Sequence, residues 1–423
     1  MTTESAQSTG VGHLSSTTIA WGAVGGSAFV LLASGPRLLG VDIYSALAVA
    51  WTVVTIFGMG LAIPGEQTVT RAVAGGHVRG VAGAVRVRLL VMAALTLALL
   101  IPPALGAETL LGSSEVWSVG IVLGALGWAL VAGPRGRLTG AGRFHEYSAL
   151  LVLEAVVRVA LCAAAWMFRD QAGWLLSLAM GLPLLIAAAL GQWFLRSDPA
   201  VPTGQGSALL AEQGAMTAVA LAAQVVLSTA PLWLAARGVE GAAAAGAFVS
   251  ATSYMRVPSL FAGGIQAMVL SKSSAAAQLG DTDAVAGLAR RSALLAAGVC
   301  TAVVLALLAV SGPALFLLYG PGMDIGWGVL LILGASTVIF VSGNVITQVY
   351  LGCRRSVSAA VIWVVAAVAT TVALGLLATS SAGAAWAGLI GVVVGVGALL
   401  LFLSRTVRGV AGIEPSLGGV PNG

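Results

Sequence analysis

At 423 residues, 59% of them hydrophobic and only 8% charged, the chain is far from the mixture of a soluble domain, in which about a quarter of residues are charged. Crossing a hydrocarbon core as a helix takes about 20 apolar residues, so the composition points to an all-α polytopic membrane protein. The net charge of +5 comes from basic residues scattered singly through loops, a pattern that argues against a nucleic-acid partner.

Met1 to Ser16 is rich in Ser and Thr and lacks the basic segment of a cleavable leader, so it reads as a short disordered cytoplasmic tail. Apolar runs bounded by Gly, Pro and charge then follow at Thr17 to Ser34, Tyr44 to Ile63, Leu89 to Leu105, Trp117 to Ala132, Tyr147 to Phe168 and Trp174 to Leu195. A polar linker, 196–213, precedes six more: Gly214 to Ala236, Ala244 to Leu270, Ser292 to Val310, Gly326 to Tyr350, Val357 to Ala378 and Gly383 to Leu403. The reading is twelve spans, an N-lobe at 17–195, a C-lobe at 214–404 and a second cytoplasmic tail at 405–423.

Loop charge sets the orientation, because cytoplasmic loops collect Lys and Arg. With the N-terminus inside, the inner loops hold most of the 20 basic residues, among them Arg71, Arg79, Arg86, Arg88, Arg135, Arg137, Arg143, Lys272, Arg290, Arg291, Arg354 and Arg355. The outer loops hold only Arg37, Arg169 and Arg237. Both termini are therefore expected in the cytoplasm. An even number of spans per half makes any pseudo-twofold run along the membrane normal. A faint repeat agrees, with Gly40-Val41-Asp42 after span 1 matching Gly238-Val239-Glu240 after span 7.

Cys162, Cys300 and Cys353 lie far apart in apolar surroundings, with no metal-ligand spacing, and read as buried hydrophobes. No cofactor or metal is expected. Trp117, Trp174, Trp327 and Trp386, near span ends, read as interface anchors.

Charges inside spans are costly, on the order of 2.5 to 3.5 kcal/mol at a helix centre on insertion scales. Tyr147, Glu154 and Arg158 in span 5 share one helical stripe, at offsets of 7 and 4. The stripe admits two readings, an intrahelical ion pair that makes burial cheap or a charge pair lining a cavity. In span 8, Arg256 has no acidic neighbour at helical spacing, and its planar fork suits phosphate. Pro258 should bend span 8 there and serve as a hinge or a packing adjustment. Gln224, Ser228 and Thr229 in span 7, and Asn344 with Gln348 in span 10, are interhelical hydrogen-bonding groups or cavity-lining polar candidates.

Two stretches resemble the polysaccharide-export flippases of the multidrug/oligosaccharidyl-lipid/polysaccharide (MOP) transporter superfamily. One is Gly35-Pro-Arg37-Leu-Leu-Gly40-Val-Asp-Ile-Tyr44-Ser; the other is Arg137-Leu-Thr-Gly140-Ala-Gly142-Arg143-Phe144-His-Glu-Tyr147, running on through Glu154 to Arg158. Tyr319-Gly320-Pro321 and the run from Asn344 to Gly352 are smaller echoes. The resemblance implies two six-helix lobes in a V, alternating access, and a polyprenyl-diphosphate-linked oligosaccharide as cargo, with Arg158, Arg256 and Arg37 holding the diphosphate and Glu154 as the coupling or cavity charge. It implies a bacterial cytoplasmic membrane, with membrane lipids and a polysaccharide polymerase or glycosyltransferases as partners. The sequence departs from the family in lacking a span 7 aspartate at Ser228-Thr-Ala-Pro231 and a proline at Val269-Leu-Ser-Lys272.

A multidrug exporter of the same fold is the competing transport reading, although two mid-span arginines against one glutamate disfavour cationic drugs. A membrane glycan polymerase or ligase would need catalytic groups on a sizeable external loop, and every outer loop here is short, so no enzymatic activity is expected. A non-transporting scaffold is the remaining class.

Overall fold

The computed structural model describes residues 4–74, 85, 89, 115–196, 207–241, 243–321 and 325–408. Among them every regular element is helical. The first half contributes α1 (Glu4–Leu39), α2 (Val41–Phe57), a π-helical turn (Gly58–Ala62), α3 (Ile63–Ala74), α4 (Glu115–Gly140), α5 (Phe144–Met167) and α6 (Ala172–Phe194). The second half contributes α7 (Ser207–Ser228), α8 (Ala230–Arg237), α9 (Ala244–Met255), α10 (Val257–Gln278), α11 (Thr282–Ala309), α12 (Ser311–Tyr319), α13 (Trp327–Gly352), α14 (Ser356–Leu377) and α15 (Ser381–Arg408).

Nine described helices are long and apolar enough to cross a membrane, and α7 with α8 makes a tenth span bent by 49°. The bend falls where Pro231 enters the first turn of α8, a position that tolerates its missing N–H. Predicted span 8 is built from α9 and α10, which meet at Arg256, with Pro258 again in a first helical turn. Predicted span 3 lies, beyond Leu89, outside the described residues, as do Arg79, Arg86 and Arg88.

Two boundaries move. Span 2 runs on from Val41 to Val73, so Glu66 sits inside it rather than in a loop. Span 4 continues to Gly140, which takes Arg135 out of the predicted inner loop and buries it completely. Charge failed to mark these span ends because both residues find partners inside the protein, Arg135 in Glu154 and Glu66 in Tyr147. Of the four tryptophans, Trp117 is a core residue, whereas Trp174, Trp327 and Trp386 are half-exposed at the starts of their helices, as anchors require. The three cysteines are free and buried.

The apolar core is distributed unequally. One continuous cluster runs through the N-lobe and on into residues 230–255, 304–333 and 373–387, while a separate cluster occupies 219–226, 269–300, 340–366 and 392–407. The lobes thus share a core at the end where α1 hands over to α2, and the C-lobe keeps its own core at the opposite end. The outward faces of α11, α14 and α15 carry exposed Leu294, Leu305, Val361, Val368, Leu376 and Leu401, an apolar belt that suits lipid contact.

Candidate functional site

Inside the N-lobe, four charges from three helical segments meet out of contact with solvent. Glu154 on α5 accepts from Arg158 one turn further along (Nη2 to Oε1, 2.7 Å), and its other oxygen accepts from Arg135 on α4. Arg158 also donates through Nε to the Ala179 carbonyl (3.1 Å) and through Nη1 to the Ser27 hydroxyl (2.8 Å). Its planar face lies 5.6 Å from the ring centroid of Trp51. Arg135 is held between Trp21 and Trp128, at 5.9 and 5.6 Å, a cation–π arrangement that stabilises a desolvated guanidinium.

The same network reaches Glu66 on α3. Tyr147 donates to Glu66 Oε1 (3.0 Å) and accepts from Trp21 Nε1 (3.1 Å). Two carboxylates and two guanidiniums balance within one buried cluster. The predicted stripe of Tyr147, Glu154 and Arg158 therefore faces the lobe interior, and its ion pair forms within α5. Sequence reading missed Glu66 and Arg135, each set among Gly and Pro residues that read as span ends.

Arg256 has a different environment. It closes the break between α9 and α10, with backbone angles of −90° and 0°, and its side chain reaches back to α7. Nη1 donates to the Ser228 hydroxyl (3.3 Å) and Nη2 to the Leu227 carbonyl. Ser228 in turn donates to Gln224 Oε1 (3.1 Å). Among the described residues no carboxylate pairs with Arg256.

The guanidinium borders a cavity of ≈ 70 Å³ lined from the N-lobe by Trp51, Thr52 and Thr55 and from the C-lobe by Ser228, Thr252 and Ser253. Arg256 is the one charged side chain in that lining. The buried Thr252 hydroxyl has no hydrogen-bond partner. The cavity thus presents a cation, several hydroxyls and an indole, which is an environment for an anion flanked by polar groups. The cavity is small and partly open rather than enclosed.

The three arginines singled out from sequence do not converge. Arg256 faces the cavity, and Arg158 is separated from it by Trp51. Arg37, exposed at the end of α1, bonds to the carbonyls of Phe316 and Leu317 on α12. Gln224 reaches the cavity through Ser228, while Asn344 and Gln348 are half-buried on α13 and line no part of it. Pro258 lies two residues from the α9–α10 break.

No sequence-family model matches the chain, and no curated protein matches it by sequence. Solved structures do. The inward-facing conformation of a multidrug-resistance MATE transporter of the MOP superfamily superposes with a TM-score of 0.69 at 14% identity, covering 92% of this chain and 96% of that one. The outward-facing conformation of such a transporter gives 0.67 at 14% identity, covering 95% and 97%. A MOP-superfamily transporter from Pyrococcus furiosus, described by the reverse polarity of its binding pocket, gives 0.69 at 15% identity, covering 94% and 96%. The fold is that of the two-lobe MATE-like transporters.

Proposed function

We propose that the protein is a membrane transporter that moves an anionic amphiphile, of the polyprenyl-diphosphate-linked oligosaccharide class, across a bacterial cytoplasmic membrane by alternating access of its two lobes. The observation that carries this reading is Arg256, a cation with no carboxylate partner among the described residues, set between the lobes in a cavity lined by hydroxyls and Trp51. A part-buried guanidinium in such a place is stabilised by an anion, and a phosphate oxygen pair matches its fork. The cavity supplies the position for the phosphate, and separation of the lobes makes room for the glycan.

Arg158 does not contact the cargo in this state; it fixes Trp51 from behind. Glu154 serves chiefly to neutralise two guanidiniums. Drug export is the second reading, consistent with the fold of the structural neighbours, but the cavity lining contains no carboxylate to attract a cationic drug.

The test is reconstitution into liposomes with a labelled polyprenyl-diphosphate oligosaccharide. Arg256→Glu is expected to reduce translocation more than tenfold at unchanged membrane expression. Retained translocation removes Arg256 from the mechanism, and efflux of a cationic dye by the unmodified protein would replace the flippase reading with drug export.

A further inference from the structure

Threonines inside these helices have a habitual partner. At eight described positions, Thr52 of the cavity lining among them, a helical threonine hydroxyl donates to the backbone carbonyl four residues earlier. That bond satisfies the hydroxyl locally, wherever the helix packs. Thr252, in the last turn of α9, departs from it. Its side chain is only 8% exposed, and its hydroxyl has no hydrogen-bond partner among the described residues. A buried hydroxyl left in this state is costly, and in a native protein it calls for a ligand or a water.

Thr252 and Arg256 are four residues apart and so follow one another on the same face of α9. Both line the cavity between the lobes, and both also line a smaller cavity of ≈ 30 Å³ within the C-lobe. With Leu227 they form the partition between the two. The smaller cavity is mainly apolar, with Phe248, Leu333 and Val392 in its walls. Its other hydroxyls, Ser336 and Thr337, already donate to the Ile332 and Leu333 carbonyls.

Few protons in the larger cavity are available to an anion. Thr52 donates to the Ala48 carbonyl and Ser228 to Gln224, while Thr55 and Ser253 are only part-buried. The Thr252 hydroxyl is buried, uncommitted and beside the cation. The guanidinium itself carries five N–H donors, and its bonds to Ser228 and Leu227 leave others for a ligand.

We propose that Thr252 is a second binding group for the cargo's phosphate, so that α9 grips the anion at two points: one phosphoryl oxygen meets the Arg256 guanidinium and another accepts from the Thr252 hydroxyl. The inference rests on the reading of this cavity as the phosphate position, and it names the residue that completes it. Anion binding satisfies a hydroxyl that the protein alone leaves without a partner. Because both donors belong to one C-lobe helix, the phosphate stays with the C-lobe when the lobes separate.

Two substitutions isolate the hydroxyl. Thr252→Val keeps the branched shape and removes the O–H, and Thr252→Ser keeps the O–H. The purified protein in detergent is titrated calorimetrically with inorganic pyrophosphate and with farnesyl diphosphate. Thr252→Val should weaken both about tenfold, equivalent to about 1.4 kcal/mol, and Thr252→Ser should stay within about twofold of the unmodified protein. Without ligand, the melting temperature of Thr252→Val should be unchanged or higher, since the hydroxyl it removes bonds to nothing. Tighter binding of farnesyl diphosphate than of pyrophosphate assigns the site to a lipid-borne phosphate, and equal binding assigns it to free diphosphate.

Unchanged affinity in Thr252→Val, with binding lost in Arg256→Gln, would overturn the role of Thr252 and leave the phosphate site standing. The same unchanged affinity with a lowered melting temperature would give the hydroxyl to a water in the smaller cavity, which overturns it equally. No binding of either probe by the unmodified protein would overturn both the two-point grip and the phosphate reading. Should the valine variant fail to fold, Thr252→Ala is measured in its place, with the same loss of affinity expected.

Discussion

The two lobes handle buried charge in opposite ways. In the N-lobe, Arg135 and Arg158 share Glu154, both are stacked on tryptophan, and Tyr147 ties in Glu66. In the C-lobe, Arg256 has no carboxylate partner among the described residues; it bonds to a hydroxyl and a carbonyl and borders a cavity. Paired charges contribute to uniqueness of packing and become inert toward ligands; an unpaired one costs stability and retains its affinity for an anion. On the function proposed above, this contrast makes the N-lobe network scaffold and the C-lobe arginine the site, although sequence inspection weighs mid-span arginines alike.

The contrast is most readily broken at Glu154. Glu154→Gln removes the charge that two completely buried guanidiniums share, and truncating one partner of a buried pair costs about 3 to 5 kcal/mol. The expected outcome is a steep fall in melting temperature in detergent and poor membrane yield. A variant of unchanged melting temperature would mean that the cluster is neutralised by something other than Glu154.

A smaller effect is expected at the wall between the two regions. Trp51→Leu removes the ring that covers Arg158 and forms part of the cavity lining. Lost cation–π contact and packing together should destabilise by about 2 kcal/mol, measured as a shift in chemical denaturation midpoint. Because the indole also faces the cavity, anion affinity should fall in the same variant. Loss of stability with full affinity would confine Trp51 to the N-lobe scaffold.

Much of this arrangement was legible before any coordinates. Periodicity placed Tyr147, Glu154 and Arg158 on one face, because offsets of 7 and 4 leave a helix no other choice, and the lack of an acid near Arg256 was visible in Thr252 to Pro258. Glu66 and Arg135 were not legible, since a charge beside Gly or Pro reads as a span end unless its partner from a distant helix is known. Glu66 meets Tyr147 across 81 positions. The cavity was beyond reach for the same reason: Trp51 and Arg256 become neighbours only when the lobes dock, and local pattern carries no record of docking. Arg37 illustrates the converse, a residue whose motif stood out and whose observed partners are backbone carbonyls of the other lobe.

The smallest effect on stability, and the sharpest division between the lobes, is expected at Arg256. Arg256→Gln retains a donor for the Leu227 carbonyl and the Ser228 hydroxyl while removing a part-buried charge that no carboxylate among the described residues offsets. Neutralising it relieves the cost of burying the charge as it weakens the two hydrogen bonds from charge-assisted to neutral, and these terms are of similar size and opposite sign. The unfolding free energy should therefore stay within about 1 kcal/mol of the unmodified protein's, or rise. Binding should respond differently: added inorganic pyrophosphate should raise the melting temperature of the unmodified protein and leave the variant unmoved. A large destabilisation by Arg256→Gln would show that the C-lobe arginine is bound into structure as tightly as its N-lobe counterparts. The distinction between scaffold charge and site charge would then fail.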